Sequence, residues 1–293
     1  MKKTAILILL QLFCMFAFSQ DEMSNVGKEF DSMMKGSPYG KNETVGKYFN
    51  IRGFKMYCEV YGEGQPLLVI HGNGGSINNF LKQIPYFSKK YKVIIADSRA
   101  QGKSIDNNDS LSYEMMADDY AALLTTLKVD SAYVIGWSDG GINGLLLAIR
   151  HPEKVKKLAV TGANLQPDTS AVYGEVINMV MPPYEMLKEK KKPLTVEEKT
   201  GLKLLRLLVA EPHIPLSDVQ KIAVPTLVIG GDHDVIKEEH TMEIYKNISK
   251  SYLWILPNSG HSTPVVYSNE FNTTVDHFFS TPYRAINGRK RFF

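Results

Sequence analysis

A chain of 293 residues, 44% of them hydrophobic, is long enough for one large domain or two small ones around a sizeable core. Its net charge of +3 falls to +1 once Lys2 and Lys3 are set aside with the first 19 residues, which excludes the basic footprint of a nucleic-acid-binding protein. With Cys14 set aside as well, Cys58 is left without a partner, so a disulfide framework is excluded; no Cys or His cluster has metal-ligand spacing, so neither metal nor cofactor is expected.

Met1-Lys2-Lys3-Thr4, an apolar run over 5–18, and small residues at Ala17 and Ser19 form the pattern of a Sec signal peptide cleaved before Gln20. That run is shorter than the roughly 20 residues a membrane-spanning helix needs. The expectation is a periplasmic or secreted protein whose mature chain has no stable membrane span. Residues 20–46 are polar, with Gly36, Pro38 and Gly40, and read as a loosely ordered lead-in.

From residue 48 the pattern alternates between strands and helices. Residues 48–51 and 55–61 read as a hairpin turning at Arg52-Gly53, with Cys58 as a buried, inert thiol. Residues 66–70 are a continuous apolar strand of the kind buried on both faces. It runs into His71-Gly72-Asn73-Gly74-Gly75, where backbone N–H groups become available; the Asn73 N–H is a candidate oxyanion donor and His71 a brace for the turn. A helix over 78–87 and a strand over 92–96 follow. In the next turn, 97–104, Asp97 and Arg99 have the makings of a self-bonded structural unit. A helix over 113–127 precedes the central motif.

That motif is Ile135-Gly136-Trp137-Ser138-Asp139-Gly140-Gly141, an apolar strand turning sharply into a helix. The turn strains the backbone of Ser138 so that its hydroxyl stands clear of the sheet. The glycines relieve crowding, and the helix N-terminus faces the place where an oxyanion would form. A strand over 155–160 closes this half of the chain. No buried strand is found between residues 164 and 219, where helical patterns appear at 171–181, 184–189 and 196–210. This insertion reads as a lid. Its Tyr173, Met179 and Tyr184 either line a substrate pocket or pack the lid onto the core. Alternation resumes with a strand over 225–231, Asp232-His233-Asp234, a helix over 238–248, a strand over 252–256, Gly260-His261, and a helix over 265–279.

Eight candidate strands separated by helices imply a mostly parallel α/β sheet with helices on both faces, whose functional groups sit at the carboxyl ends of the strands. Ser138, the Asp232/Asp234 pair and His261 each follow a strand end, in that order. On these residues the chain resembles an α/β-hydrolase over roughly 48–279. The motifs are His71-Gly72-x-x-Gly75, Asp97-x-Arg99-x-x-Gly102-x-Ser104, the Gly-x-Ser-x-Gly elbow, Gly231-x-x-Asp234 and Gly260-His261, with Ala100 standing where the family usually has glycine. Trp137-Ser138-Asp139-Gly140-Gly141 and Thr161-Gly162-Ala163-Asn164 are similar to the valacyclovir hydrolase (biphenyl hydrolase-like) group.

The resemblance implies an α/β-hydrolase core over 47–163 and 220–282, a small helical lid over 164–219 and a basic tail over 283–293. It implies a metal-independent serine hydrolase of small esters, amides or lactones. Ser138 would be the nucleophile, His261 the base, and Asp234 the orienting acid, with Asp232 bonding turn N–H groups. The backbone N–H groups of Asn73 and Asp139 would hold the oxyanion. In the valacyclovir hydrolase group the residue after the serine binds a substrate ammonium, a role that would fall to Asp139; the alternative is that Asp139 caps the elbow helix. C–C bond hydrolysis and cofactor-free perhydrolysis use the same residues, and the scaffold also serves non-catalytic small-molecule receptors.

Overall fold

The computed structural model describes residues 20–292, and within its first helix the side chains from residue 28 onward. The expected signal peptide, 1–19, lies outside the described residues. These residues form one eight-stranded sheet in the order β1-β2-β4-β3-β5-β6-β7-β8. The strands are β1 (Lys47–Ile51), β2 (Phe54–Tyr61), β3 (Gln65–Ile70), β4 (Tyr91–Ala96), β5 (Ala132–Trp137), β6 (Val155–Thr161), β7 (Thr226–Gly231) and β8 (Ser251–Leu256). The β1–β2 and β2–β4 pairings are antiparallel, and every other pairing is parallel.

The period-two pattern of the strands fills both faces of the sheet. Leu68, Ile70, Ile94 and Val134 point into one apolar cluster with helices α2 (Tyr113–Thr126) and α3 (Asp139–Arg150). Leu67, Val69, Val93, Ile95 and Ile135 point into the other, with Phe80, Phe87 and the face of a helix at Ser268–Ser280 carrying Phe271, Val275 and Phe279. Such double burial is why β3 and β5 read as unbroken apolar runs.

The chain passes from β3 to β4 on one side of the sheet and then returns to β5 on the other side of β3. At this switch the loops after β3 and β5 diverge and open a crevice at the carboxyl edge. His71 and Ser138 begin those two loops.

Three local expectations change. Gln20–Gly36 is a helix, α1, and the segment after it is tied down. Phe30 and Tyr39 pack against the second cluster. The buried Glu59 carboxylate accepts bonds from the Gly40 and Asn42 N–H groups and from the Tyr57 and Tyr61 hydroxyls. Polarity suggested a loose lead-in because the anchoring carboxylate lies in a distant strand. The helix expected over 78–87 is two single turns, Ile77–Phe80 and Ile84–Phe87, the second with Pro85 in its first turn. The two helical patterns at 171–181 and 184–189 are one helix, α4 (Gly174–Lys188), running through Pro182-Pro183. The carbonyls those prolines leave without an i+4 donor belong to Asn178 and Met179, both exposed residues.

α4 and its antiparallel partner α5 (Val196–Ala210) lie between β6 and β7 in the chain and share an apolar cluster of their own around Val180, Leu187 and Leu205. After β7 comes α6 (Glu238–Asn247), and the Ser268–Ser280 helix, α7, closes the fold.

Candidate active site

Ser138 stands at φ 57°, ψ −124°, between the end of β5 and the first residue of α3. A non-glycine residue at positive φ is strained, and here the fold holds it from both sides: its N–H donates to the Thr161 carbonyl at 2.9 Å, and its own carbonyl accepts from Gly141 at 2.7 Å. A side chain at Gly140 would collide with the Ile70 carbonyl, so glycine there allows α3 to start directly against β3.

The Ser138 Oγ lies 2.9 Å from His261 Nε2, and His261 Nδ1 lies 2.6 Å from Asp234 Oδ1. Asp234 has no donor role when ionised, so Nδ1 carries the proton and Nε2 is the free base facing the hydroxyl. His261 and Asp234 are each 3% exposed, whereas Ser138 is half-buried at the pocket wall. Asp234 Oδ1 also accepts the Ile236 N–H at 3.2 Å, which aims the carboxylate.

The loops that deliver these groups brace one another. Trp137 Nε1–H donates to the His261 carbonyl at 2.8 Å, tying the histidine loop to the residue before the serine. The Asp232 carboxylate accepts the Ser259 N–H at 3.1 Å, and the His233 N–H donates to the Ser259 carbonyl. The His233 imidazole beside it and the backbone N–H groups of Asn258 and Ser259 hold Asp232 down at about 2. Asp232 therefore joins the two loops and does not touch His261.

His71 is likewise a brace: its Nε2 accepts the Ser98 N–H, its Nδ1–H bonds the Gly72 carbonyl, and burial pushes its pKa down to about 4. Asp97 accepts the N–H groups of Ile77 and Lys103. Arg99 pairs with Asp119 and Asp106. None of the three bonds the serine, histidine or Asp234 side chains.

The loop bearing Asn73 lies directly against the serine, since a Cβ on Gly72 would sit 3.0 Å from Ser138 Cβ. Asp139 opens α3, where the first-turn N–H groups have no partner within the helix. Both expected oxyanion residues are thus brought to Ser138.

The Asp139 carboxylate is buried and accepts bonds from Asn73 Nδ2 at 2.8 Å and from the Tyr113 hydroxyl. Among the described residues no lysine or arginine forms an ion pair with it. Burial with only neutral donors at its side raises its pKa to about 6. The carboxylate reaches across the site to Asn73 and Tyr113 and also meets its own backbone N–H in the first turn of α3, so it serves the elbow helix and faces the site at once.

Ser138, Asp139 and His261 share a pocket of about 40 Å³. Its apolar wall is Val172, Val176, Ile177, Val180, Leu208 and Val209 from the insertion, with Val235 and Ile236, while Tyr113, Asn164 and Glu211 supply polar groups. Tyr173, Met179 and Tyr184, expected as candidate lining, do not line it. Tyr173 bonds Glu238 through its hydroxyl. Met179 points to solvent, 41% exposed, because Val176 and Val180 take the inward phase of α4. Tyr184 packs inside the α4–α5 pair. Tyr113 and Glu211 carried no chemical motif in the sequence and join the site only through folding.

The family model for the alpha/beta hydrolase fold matches residues 65–190. Serine hydrolase BPHL of Homo sapiens is 26% identical over 248 residues, 78% of this chain and 84% of that one. The chain has the α/β-hydrolase fold. A putative carbamate hydrolase, RutD, of Caulobacter sp. (strain K31) is 25% identical to this hydrolase over 256 residues, 77% of this chain and 96% of that one. Among solved structures, the esterase EaEST from Exiguobacterium antarcticum superposes with a TM-score of 0.70 at 24% identity, covering 81% of the hydrolase and all of the esterase. Among the described residues no helix is long and apolar enough to cross a membrane, and no group of three or more His, Cys, Asp or Glu could hold a metal ion.

Proposed function

We propose that this hydrolase cleaves small carboxylic esters through a Ser138 acyl-enzyme. The observation that carries the reading is the unbroken chain of hydrogen bonds from Ser138 Oγ through His261 to Asp234, with the serine at the wall of a pocket. His261 Nε2 takes the serine proton as Oγ attacks the ester carbonyl carbon. The resulting oxyanion lies against the backbone N–H groups of Asn73 and Asp139, where one donor contributes about 3 kcal/mol in comparable sites. Asp234 holds the imidazole and stabilises its cation. Collapse of the intermediate expels the alcohol, which takes the proton from Nε2. Water, deprotonated by the same nitrogen, then attacks the acyl-serine and releases the acid.

A preference among esters follows from the pocket. Its walls are apolar, and two of its polar groups are carboxyl-bearing, Asp139 and Glu211. Glu211 is paired with Arg206, whereas Asp139 has neutral partners only. An ester with an ammonium near the scissile carbonyl would supply the missing positive charge. We further propose that the protein is exported and that its mature chain begins at Gln20, for which the support is the sequence pattern of residues 1–19.

The test is a panel of p-nitrophenyl acetate, butyrate and octanoate beside an α-amino acid benzyl ester, with Ser138→Ala as the control. Turnover lost in the variant, together with labelling of Ser138 by a fluorophosphonate, is the expected result. Activity that survives Ser138→Ala overturns the nucleophile assignment. No turnover and no labelling would favour a binding protein on this scaffold; labelling without ester turnover would favour C–C substrates. N-terminal sequencing of the exported protein checks the cleavage site.

A further inference from the structure

Asn73 does more than its backbone role requires. Its side-chain Nδ2 has two N–H groups, and they are used in opposite directions. One donates to Asp139 Oδ2 at 2.8 Å, at the start of the elbow helix. The other donates to the Leu204 carbonyl at 3.1 Å, in the middle of α5. The residue is 7% exposed, and its Oδ1 is buried without a partner. An amide that leaves one buried acceptor unsatisfied costs stability, so its placement serves something besides the fold.

The loop around it explains what. Residues 72, 74 and 75 are glycines, and Gly74 is at φ +64°. The Gly72 carbonyl is held by the His71 ring and the Gly75 N–H, which leaves the carboxamide to fix the peptide that presents the Asn73 N–H. The carboxamide is its handle, gripped on one side by the helix that starts at Ser138 and on the other by the insertion. The grip on the insertion is a main-chain carbonyl, so it reports where α5 sits and is insensitive to which side chains α5 carries.

We propose that Asn73 is a positioning residue whose carboxamide couples the oxyanion site to the insertion: its N–H is aimed at the oxyanion only while α5 is docked. This rests on the Ser138 hydrolase reading. An enzyme with the insertion lifted binds ester and presents Ser138, but stabilises the transition state poorly. The insertion seated over a substrate completes the site. Because the interaction is made in the transition state, its loss falls on kcat.

The test uses Asn73→Ala, which removes both bonds, and Asn73→Asp, which keeps the shape and lacks the donors. Each is measured alone and combined with Leu205→Ala, which loosens the apolar cluster inside the insertion without touching the pocket. Both Asn73 variants are expected to lose about 10–100-fold in kcat with KM changed less than about threefold. Leu205→Ala is expected to lower kcat in the parent and to add little in either Asn73 background, a non-additive cycle. Hydrogen exchange gives a readout independent of turnover: in Asn73→Ala, amides of 72–75 and of 200–208 should both exchange faster.

Kcat within about twofold of the parent in both variants overturns the proposal, as does an equal Leu205→Ala loss in every background. Unchanged exchange at 200–208 overturns it also. If the parent neither turns over esters nor labels at Ser138, the hydrolase reading fails by itself, and the exchange result alone decides whether the clasp exists.

Discussion

Gly162 stands at φ +62° beside the His261 imidazole. A Cβ there would lie 2.6 Å from His261 Cε1 and 2.8 Å from Nδ1, distances no side chain tolerates. Gly162→Ala should therefore displace the imidazole from Ser138 and cut kcat/KM about 10²-fold while the circular dichroism spectrum is retained. Asp139 offers a second test at this scale. Burial raises its pKa to about 6, so it is protonated below that pH and anionic above it. The ratio of kcat/KM for an amino ester to that for a neutral ester cancels whatever the two reactions share. It should climb as pH rises through about 6 and fall again as the substrate amine loses its proton, near 7.7 for a reference α-amino group. Asp139→Asn should remove the rising limb. The same shift has a sign for stability: the uncharged form suits the burial, so this residue's contribution is full below the ordinary carboxyl pKa and is lost as pH rises through about 6.

At the scale of elements, the site depends on segments that carry none of its chemistry. The loop joining α1 to β1 is held by one buried carboxylate, Glu59, whose two oxygens accept four bonds from Gly40, Asn42, Tyr57 and Tyr61. Glu59→Gln replaces one oxygen with an amide that faces donors. It should cost about 1–3 kcal/mol in urea unfolding, and proteolysis should open residues 37–46 first while kcat stays close to the parent value. The α4–α5 pair is the contrasting element. Its two helices pack on each other through Val180, Leu187, Leu205 and Tyr184, while α5 also buries Leu204 and Leu207 in the main core cluster. Lifting α5 would draw Leu204 and Leu207 out of that core, and this docking is what the Asn73 clasp would sense.

For the molecule as a whole, Arg99 joins three parts of the antiparallel edge. Its guanidinium pairs with Asp119 on α2 and with Asp106 in the loop after β4, donates to the Arg52 carbonyl in the β1–β2 turn, and lies 4.0 Å from the Phe54 ring centroid. Arg99 is 2% exposed, Asp119 is fully buried and Asp106 is 3% exposed at the side chain. Removing one member of such a set leaves uncompensated buried charge. Arg99→Met should destabilise the fold by about 3–5 kcal/mol in equilibrium denaturation. The loss should fall on global stability, because Arg99 bonds none of the groups around Ser138.

The strand–turn–helix around Ser138, the strand alternation and the chain order of Ser138, Asp234 and His261 were legible in the sequence. Each depends on local chemistry: apolar period, glycine where the turn tightens, and carboxylate and imidazole types just past strand ends. The eight strands followed from that rhythm, and the hydrolase fold from the resemblance that the motifs carry. The pocket wall did not. Val176 and Val180 face inward while Met179 faces out because the insertion's docking fixes the phase of α4, and periodicity cannot set that phase when apolar residues fall on several faces. The anchoring of residues 37–46 was invisible for the same reason: its partner, Glu59, is reached through space. Asp139 shows the division within one residue. Its place after the serine is a fact of sequence, but its burial, its neutral partners Asn73 and Tyr113, and the pKa that results exist only once β3, α2 and α3 meet at the switch point of the sheet.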